Sequence, residues 1–411
     1  MRIAFLISTF PSISQAFITN QIIGLIEKGY AVEIFAYRKE IGACDNMLVK
    51  KYDLVRKTKY IPHISKNKIK RVYKSLFLLA AHLKKKPLSL IGTLNFFKYG
   101  KEALNLNLLY KAIPFLESEP FDLIHCQFGT QGIDVVKLRE LGVFKAKIVI
   151  SFRGYDLSRH LKQRGENVYA ELFKKGDLFL PVSSYFRKRL LKLGCEESKI
   201  IIHRSGIDLK KFKYLSRNIT DTNSIQLLSV GRLVEKKGFE YGIKAVAMLI
   251  KNVEYNIKYI IIGDGPLFNN LNLLITELGV EKYVDILGAK DHDQVARYIQ
   301  ESHLLLAPSV TSADGDQEGI PNILKEAMAT GMPVISTYHS GIPELVKNGI
   351  SGYLAPEKDA NNLAKMIEHT IIYSEEWDKI GRAGKKTVEN FYDINKLNNE
   401  LLDIYKYLLS L

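Results

Sequence analysis

Two carboxylates stand out by their setting. Glu318 and Glu326 belong to the stretch Asp314-Gly315-Asp316-Gln317-Glu318-Gly319-Ile320-Pro321-Asn322-Ile323-Leu324-Lys325-Glu326-Ala327-Met328-Ala329-Thr330-Gly331. Pro321 suits the first turn of a helix, which puts Glu318 in the loop before it and Glu326 inside it. Gly319 lets a ligand come close to the backbone. Backbone N–H groups at such a helix start suit an anion or the hydroxyls of a polar ligand. The same residues equally suit a capped surface helix with its acids in solvent, because acids are common near helix starts. A second stretch, Ser229-Val230-Gly231-Arg232-Leu233-Val234-Glu235-Lys236-Lys237-Gly238, brackets Arg232 and Lys237 with glycines. A guanidinium forks onto phosphate oxygens and an ammonium adds a point charge; the plain alternative is a solvated basic loop. A third, Ile261-Ile262-Gly263-Asp264-Gly265-Pro266, runs a strand into a glycine-rich turn. That turn could admit a nucleobase or phosphate, or be no more than a tight turn.

These groups need elements to hold them. Short apolar, β-branched runs predict strands at 3–8, 31–37, 123–126, 147–152 and 178–182, and again at 226–230, 258–262, 284–287, 304–307 and 333–336. Helical periodicity lies between them, at 15–27, 184–193, 239–251 and 321–330. Strands alternating with helices imply βαβ units and a parallel sheet. Two such series imply an α/β protein of two doubly wound domains. The chain of 411 residues is long enough for both. The polar run from Asn218 to Ser224 reads as the linker, so the boundary is expected within 205–225. We divide the chain into 1–210 and 211–393, with a final helix, 394–411, free to pack back on the first domain. In open α/β sheets ligands bind beyond the carboxyl ends of the strands, and all three stretches fall there.

Composition narrows the class. Apolar residues at 46% and charged residues at 25% describe a globular protein, not a disordered one. Cys44, Cys126 and Cys195 are scattered and odd in number, which argues against a disulfide framework or zinc site and fits a reducing cytosol. The first apolar run, Ile3 to Ser8, is too short for a signal peptide, and no run reaches the ~18–20 residues that span a bilayer. The net charge of +15 divides into +19 over 1–205 and −4 over 206–411, and residues 50–101 alone carry +14 with Asp53 as the one acid. Such a field attracts polyanions: nucleic acid, phosphorylated lipid or an anionic membrane surface.

Taken in order, Arg232…Lys237, Gly263-Asp264-Gly265-Pro266, Glu318…Glu326 and Ala327-Met328-Ala329-x-Gly331-x-Pro333-Val334-Ile335 resemble the retaining glycosyltransferases of family 4, of GT-B architecture. The likeness covers the second domain. Phe10-Pro11…Ser14-Gln15-Ala16-Phe17-Ile18, Ile124-His125-Cys126-Gln127-Phe128-Gly129, Ser151-Phe152-Arg153-Gly154-Tyr155-Asp156 and Gly206-Ile207-Asp208 are similar to the colanic-acid and amylovoran branch. The resemblance implies two Rossmann-like domains facing across a cleft, and hexosyl transfer from a nucleoside-diphosphate-sugar to a glycan or lipid-linked acceptor in surface polysaccharide synthesis. It implies that Arg232 and Lys237 neutralise the donor diphosphate, that Glu318 contacts the transferred sugar, and that Glu326 accepts from the ribose. Gly263, Gly265, Gly319, Ile320, Pro321 and Asn322 would line the donor. Neither metal nor cofactor is implied.

The first domain departs from the family pattern. Gln127 stands where a second histidine is usual, Arg153 where His-Gly is usual, and Gln15 where Glu is usual. Ser14, Gln127, Arg153 and Asp156 are the acceptor-side candidates. His125 is either a catalytic participant or a satisfied histidine at a strand end. From Asn67 to Leu116 basic and aromatic residues interleave with apolar ones at helical spacing. That segment suits a membrane interface, which would place the protein at the cytoplasmic face of the membrane. It also suits ordinary helices with solvated lysines and a Leu/Phe core. Rival functions are an epimerase or phosphorylase of the same architecture, or a basic nucleic-acid-binding protein. No pyridoxal-binding lysine site or nucleic-acid recognition module is identifiable. The first strand leads into Ser8-Thr9-Phe10-Pro11-Ser12 and not GxGxxG, which disfavours a dehydrogenase.

Overall fold

The computed structural model describes residues 1–12, 15–40, 42, 44, 46–217, 224–250 and 256–411. Its first sheet is built on Arg2–Thr9 (β1), where Ile3 to Ile7 are all at most 1% exposed. A strand apolar on both faces has to be covered on both, which is the setting of a parallel sheet between helix layers. Ala31–Arg38 (β2), Thr58–Tyr60 (β3), Leu123–Cys126 (β4), Lys147–Phe152 (β5) and Leu178–Pro181 (β6) complete it in the order β3-β2-β1-β4-β5-β6. The second sheet has Ser224–Val230 (β7), Asn256–Ile262 (β8), Val284–Ile286 (β9), Leu304–Ala307 (β10), Val334–Thr337 (β11) and Tyr353–Ala355 (β12). Its order, β12-β11-β10-β7-β8-β9, repeats the first. Every strand pairing within the two sheets is parallel. Strand order therefore reverses between β1 and β4 and between β7 and β10, and crevices open at their carboxyl ends.

The ten expected strands are present, with ends shifted by one or two residues. β3 and β12 were not expected. Each is three residues long and lies at a sheet edge, and Thr58-Lys59-Tyr60 has no apolar run to signal it. The helix expected from Pro321 begins one residue later, at Asn322; Pro321 itself has φ −58° and ψ 132° and precedes the helix. The helix expected over 239–251 spans Phe239–Leu249, and Lys251 lies outside the described residues. So does most of the expected linker, 218–223. Just before it, buried Arg217 donates to the carbonyls of Ile299, Ser302 and Thr330, so the chain is already anchored to the second unit.

The final helix, Ile394–Ser410, lies against the first unit. Leu401, Leu402, Tyr405 and Leu408 pack into a cluster with Ile3, Phe5, Ile18 and Ile22. The fit is close: a Cβ at Gly24 would stand 1.9 Å from the Asn398 amide. This helix thus closes a core that β1 and the helix Ala16–Glu27 leave open. Leu401 is fully buried in that seam. Leu401→Ala is expected to destabilise the first unit by about 2–5 kcal/mol, measured by urea unfolding. A loss below about 0.5 kcal/mol, the size of an ordinary surface change, would show that the helix is only loosely docked.

Candidate functional site

Glu318 ends up where two loops converge. After β7 the chain makes a short 3-10 turn, Glu235–Lys237, and closes it with Gly238 at φ +65°. A Cβ at Gly238 would stand 1.9 Å from the Pro308 carbonyl, so only glycine lets this turn seat against the loop after β10. The seating brings both lysines of the turn to one carboxylate. Lys236 Nζ lies 3.1 Å from Asp316 and 3.4 Å from Glu318, and Lys237 Nζ lies 3.3 Å from Glu318. The Glu318 side chain is only 14% exposed. Burial alone would raise its pKa, but Lys237 and then Lys236 outweigh burial and bring it down to about 2. Lys236 was not among the expected site residues. Its position beside Lys237 was visible, but that both ammoniums reach Glu318 depends on the 3-10 turn.

The Arg232 side chain is exposed and makes no hydrogen bond or ion pair with any described residue. Its neighbouring glycines have a clear role. A Cβ at Gly263 would stand 1.9 Å from the Gly231 carbonyl, and one at Gly265 would stand 2.6 Å from the Leu233 carbonyl. Leu233 N–H donates to the Asp264 carbonyl at 2.9 Å. The Gly263-Asp264-Gly265-Pro266 turn is therefore the surface on which the Arg232 loop is laid, backbone against backbone.

Behind Glu318 stands His339, fully buried beyond the end of β11. Its Nε2 accepts the Glu318 N–H at 3.0 Å, and its Nδ1 lies 2.6 Å from a Glu357 carboxylate oxygen. The other Glu357 oxygen accepts the Thr311 N–H at 2.7 Å. Neither His339 nor Glu357 was expected. His339 follows the strand expected at 333–336, which is the signal the sequence carries for it, whereas Glu357 follows the unexpected β12. Glu326 is buried on the helix Asn322–Ala329, with His292 Nε2 at 3.9 Å. Burial raises its pKa, opposed by His292, Lys325 and Lys211. Next to it, Lys325 is 1% exposed and donates to the Ser205 carbonyl (2.7 Å) and Asn322 Oδ1 (2.9 Å). Burial brings its pKa down to about 7, with Glu326 acting the other way.

On the first unit, Arg153 follows β5 and reaches across to the end of β4. It donates to Gln127 Oε1 at 2.6 Å and sits 4.5 Å over the Phe17 ring. Gln127 in turn donates to Gln21 at 3.2 Å. Two of the three departures from the family pattern, Gln127 and Arg153, thus form one hydrogen-bonded unit. Two candidates, His125 and Asp156, take structural roles instead of the catalytic and acceptor-side ones. Of its two readings, His125 fits the satisfied histidine: it is fully buried, with Nδ1 2.6 Å from the Tyr405 hydroxyl and Nε2 2.8 Å from Ser151 Oγ. Burial holds its pKa well below the ordinary value. It ties β4 to the final helix and has no ring nitrogen left for a substrate. Asp156 is also fully buried and accepts the N–H groups of Gly129, Arg153 and Gly154 at 3.0, 3.0 and 3.1 Å. It shapes the β4 and β5 loops and presents no carboxylate to the cleft. Ser14 lies outside the described residues.

The two units touch across the cleft at the Glu318 loop. A Cβ at Gly319 would stand 2.6 Å from the Arg153 carbonyl, and one at Gly154 would stand 2.9 Å from the Gln317 carbonyl. Gln317 N–H donates to Ser158 Oγ at 3.2 Å. Glu344 caps the helix Ser184–Lys192 from the opposite unit, accepting the Ser184 and Tyr185 N–H groups at 2.9 Å each. Glu318 and Gly319 therefore lie where the second unit meets the Arg153 backbone of the first, with Lys237 paired to Glu318 and buried Gln127 behind Arg153. Among the described residues no group of three His, Cys, Asp or Glu side chains gathers as a metal site would.

The chain has relatives that match it over nearly its whole length. Residues 211–387 match the family described as glycosyl transferases group 1, and residues 90–211 match glycosyltransferase family 4. The chain is 36% identical over 414 residues to WcaL of Escherichia coli (strain K12), a glycosyltransferase assigned to colanic acid biosynthesis, covering 99% of this chain and 100% of that one. It is 37% identical to the amylovoran biosynthesis glycosyltransferase AmsK of Erwinia amylovora over 372 residues, 89% of this chain and 90% of that one. Among solved structures, Anabaena HepE in complex with UDP-glucose superposes with a TM-score of 0.72 at 16% identity, covering 99% and 100% of the two chains. WaaG, a glycosyltransferase of lipopolysaccharide biosynthesis, gives 0.63 at 15%, covering 98% and 99%. At such identities the likeness to these two is one of fold.

The lowered pKa of Glu318 has a consequence for stability. A carboxyl depressed from 4.5 to about 2 stabilises the folded chain wherever it is ionised in both states, above about pH 4.5. That contribution, at most about 3 kcal/mol, is lost as pH falls from 4.5 through 2. Glu318→Gln is therefore expected to be less stable than the unmodified chain at pH 7, with the gap narrowing steadily below pH 4.5. Denaturant titrations at several pH values measure it; a gap independent of pH would contradict the assignment.

Proposed function

The chain belongs to the family 4 glycosyltransferases and has their GT-B architecture, and from that premise we propose that it transfers a hexose, with retention of configuration and without a metal, from a nucleoside-diphosphate-sugar to a glycan or lipid-linked acceptor of surface polysaccharide synthesis. One observation carries the reading: an ionised Glu318, held by two lysines, in the crevice where the carboxyl ends of two parallel sheets meet. A nucleotide laid across the β7 and β10 loops puts its diphosphate beside Arg232, Lys237 and Lys236, its sugar beside Glu318 and Gly319, and its ribose toward Glu326. Gly263 and Gly265 hold the Arg232 loop, and Ile320, Pro321 and Asn322 complete the lining. UDP is the natural first probe, since HepE is described with UDP and with UDP-glucose.

Glycosyl transfer passes through an oxocarbenium-like transition state while the diphosphate departs. Fixed cations at the departing oxygens stabilise the charge that develops there. Lys237 and Lys236 are fixed by Glu318, while exposed Arg232 has its guanidinium free to close onto phosphate. The acceptor attacks on the face the diphosphate leaves, and a leaving-group oxygen takes the acceptor proton. Glu318 is too tightly paired with the lysines to be a ready nucleophile. Arg153, held on Gln127 and Phe17, is the acceptor-side group in this reading.

The acceptor reading draws support from the basic segment 50–101. Its helix Lys68–His82 buries Ser75 and Leu78, while Ile69 (81%), Tyr73 (78%), Leu76 (61%) and Phe77 (69%) are exposed on the outer face. With Val72 they form one apolar stripe at i, i+3, i+4, i+7 and i+8, beside Lys68, Lys70 and Lys74. In the same basic segment, Leu88 and Phe97 are exposed as well, at 85% and 96%. An apolar stripe rimmed with lysines is what an interfacial helix presents to an anionic membrane. The stripe points out of the fold, so these residues are not the core of ordinary helices. Among the described residues no helix is long and apolar enough to cross a membrane, so contact would be peripheral, at the cytoplasmic face.

A thermal-shift screen of UDP-, GDP- and ADP-sugars tests the donor. At about 100 times its Kd a ligand adds about 2.7 kcal/mol, and the rise in Tm is expected to disappear in Glu326→Ala and Arg232→Ala. No shift with any of them would count against the reading. EDTA is expected to leave the rate of transfer unchanged. A sugar trapped covalently on Glu318 would overturn the mechanism. Flotation with vesicles is expected to require anionic lipid and to fail for Phe77→Asp with Phe97→Asp; no flotation with anionic vesicles would remove the membrane contact, and flotation indifferent to lipid charge would remove the role of the lysines.

A further inference from the structure

Glu318 is placed by its backbone as much as by its side chain, and His339 is what holds that backbone. A backbone N–H is an obligate donor, so the ring nitrogen 3.0 Å from Glu318 N must offer a lone pair. That leaves the proton on Nδ1, where Glu357 accepts it at 2.6 Å. The ring is therefore neutral and locked in one tautomer, the oriented-imidazole arrangement in which one nitrogen's bond sets the role of the other. Glu357 is itself tied down. It accepts the Thr311 N–H at 2.7 Å, and the Thr311 hydroxyl accepts from Gln317 Nε2 at 3.1 Å. The charged groups facing the ring are Glu357 and Glu318, and His339 is fully buried, so water does not replace either bond. Both ends of the loop from Thr311 to Glu318 thus hang on one histidine–carboxylate pair from β11 and β12.

We propose that His339 is the positioning residue of the transfer site: in its Nδ1-protonated form, oriented by Glu357, it fixes the Glu318–Gly319 backbone so that Glu318 meets the sugar while Lys236 and Lys237 meet the diphosphate. This rests on the donor site proposed above. Positioning of this kind acts on the transfer step more than on nucleotide binding. The backbone of the lysine turn is seated through Gly238 on the Pro308 carbonyl and so stays in place if the Glu318 backbone slips, whereas the sugar contact does not.

Two isosteric replacements separate the ring's two roles. Gln puts an oxygen where Nε2 stands and keeps an acceptor for the Glu318 N–H. Asn puts an amide where Nδ1 stands and keeps the bond to Glu357 alone. With the full chain and UDP-glucose, or whichever sugar the screen selects, His339→Gln is expected to keep the transfer rate within about threefold. His339→Asn is expected to lose roughly tenfold or more in kcat, because a buried N–H is left unpaired. The Kd for UDP should change little in either. Equal rates in the two variants, or a loss seen only in UDP binding, would overturn the proposal. Nitrogen NMR of the histidine-labelled full chain, with His339 assigned by difference from His339→Gln, is a test that needs no donor. A protonated Nδ1 and a bare Nε2 at pH 7 support the proposal; the opposite tautomer or a doubly protonated ring refutes it. If no donor is ever turned over, the proposed function fails while this measurement still decides the His339 bond.

Discussion

The structure turns on a buried charge balance: the carboxylates of Glu318 and Asp316 against the ammonium groups of Lys236 and Lys237, where the two domains meet. Taking any of these charges out of water alone would cost several kcal/mol, so they are tolerable only together. Around them the backbone is arranged for close approach. Gly238 lets the lysine turn touch the β10 loop, and Gly154 and Gly319 let the two domains meet edge to edge at the Glu318 loop. A cation cluster partly neutralised from within the protein is a prepared receptor for an anion. The electrostatic work of assembling it is done during folding, before a ligand arrives.

The two halves contribute unequal things. The second unit supplies fixed charge: Arg232, Lys236, Lys237, Glu318 and Glu326 all stem from it. The first supplies Arg153, hydrogen-bonded to buried Gln127, and the basic, apolar-striped helix Lys68–His82. Glu344 capping a helix of the other domain and the final helix returning to β1 join the halves at two further places. A cap made across a cleft stabilises only the closed arrangement, since the helix N–H groups go to water when it opens.

Residue identity and structural role part company in the first unit. His125 is the kind of residue that chemistry uses, yet Tyr405 and Ser151 occupy both its nitrogens and it serves as a staple for the final helix. Asp156 is spent on three backbone amides. His339, by contrast, sits in a run that drew no notice, Tyr338-His339-Ser340-Gly341, and it touches the Glu318 backbone directly. A histidine's role depends on what lies within 3 Å of each nitrogen, and for both histidines those neighbours come from distant parts of the chain.

The sequence by itself determined the strand–helix alternation and the two parallel sheets, and it placed Arg232, Lys237 and Glu318 in loops and Glu326 in the helix that follows. Periodicity is a local property, and the place of those loops near strand ends follows from that same local pattern. The outward-facing stripe from Ile69 to Phe77 was legible as a period but not as a direction. Whether it faced core or solvent depended on what the fold packed beneath it, and only Ser75 and Leu78 were buried there. Convergence of Lys236 and Lys237 on Glu318, the Glu357–His339 support and the retirement of His125 and Asp156 were decided by tertiary structure alone. Hydrogen bonds and ion pairs act over about 3 Å, and only folding brings residue 125 beside 405, or 236 beside 318.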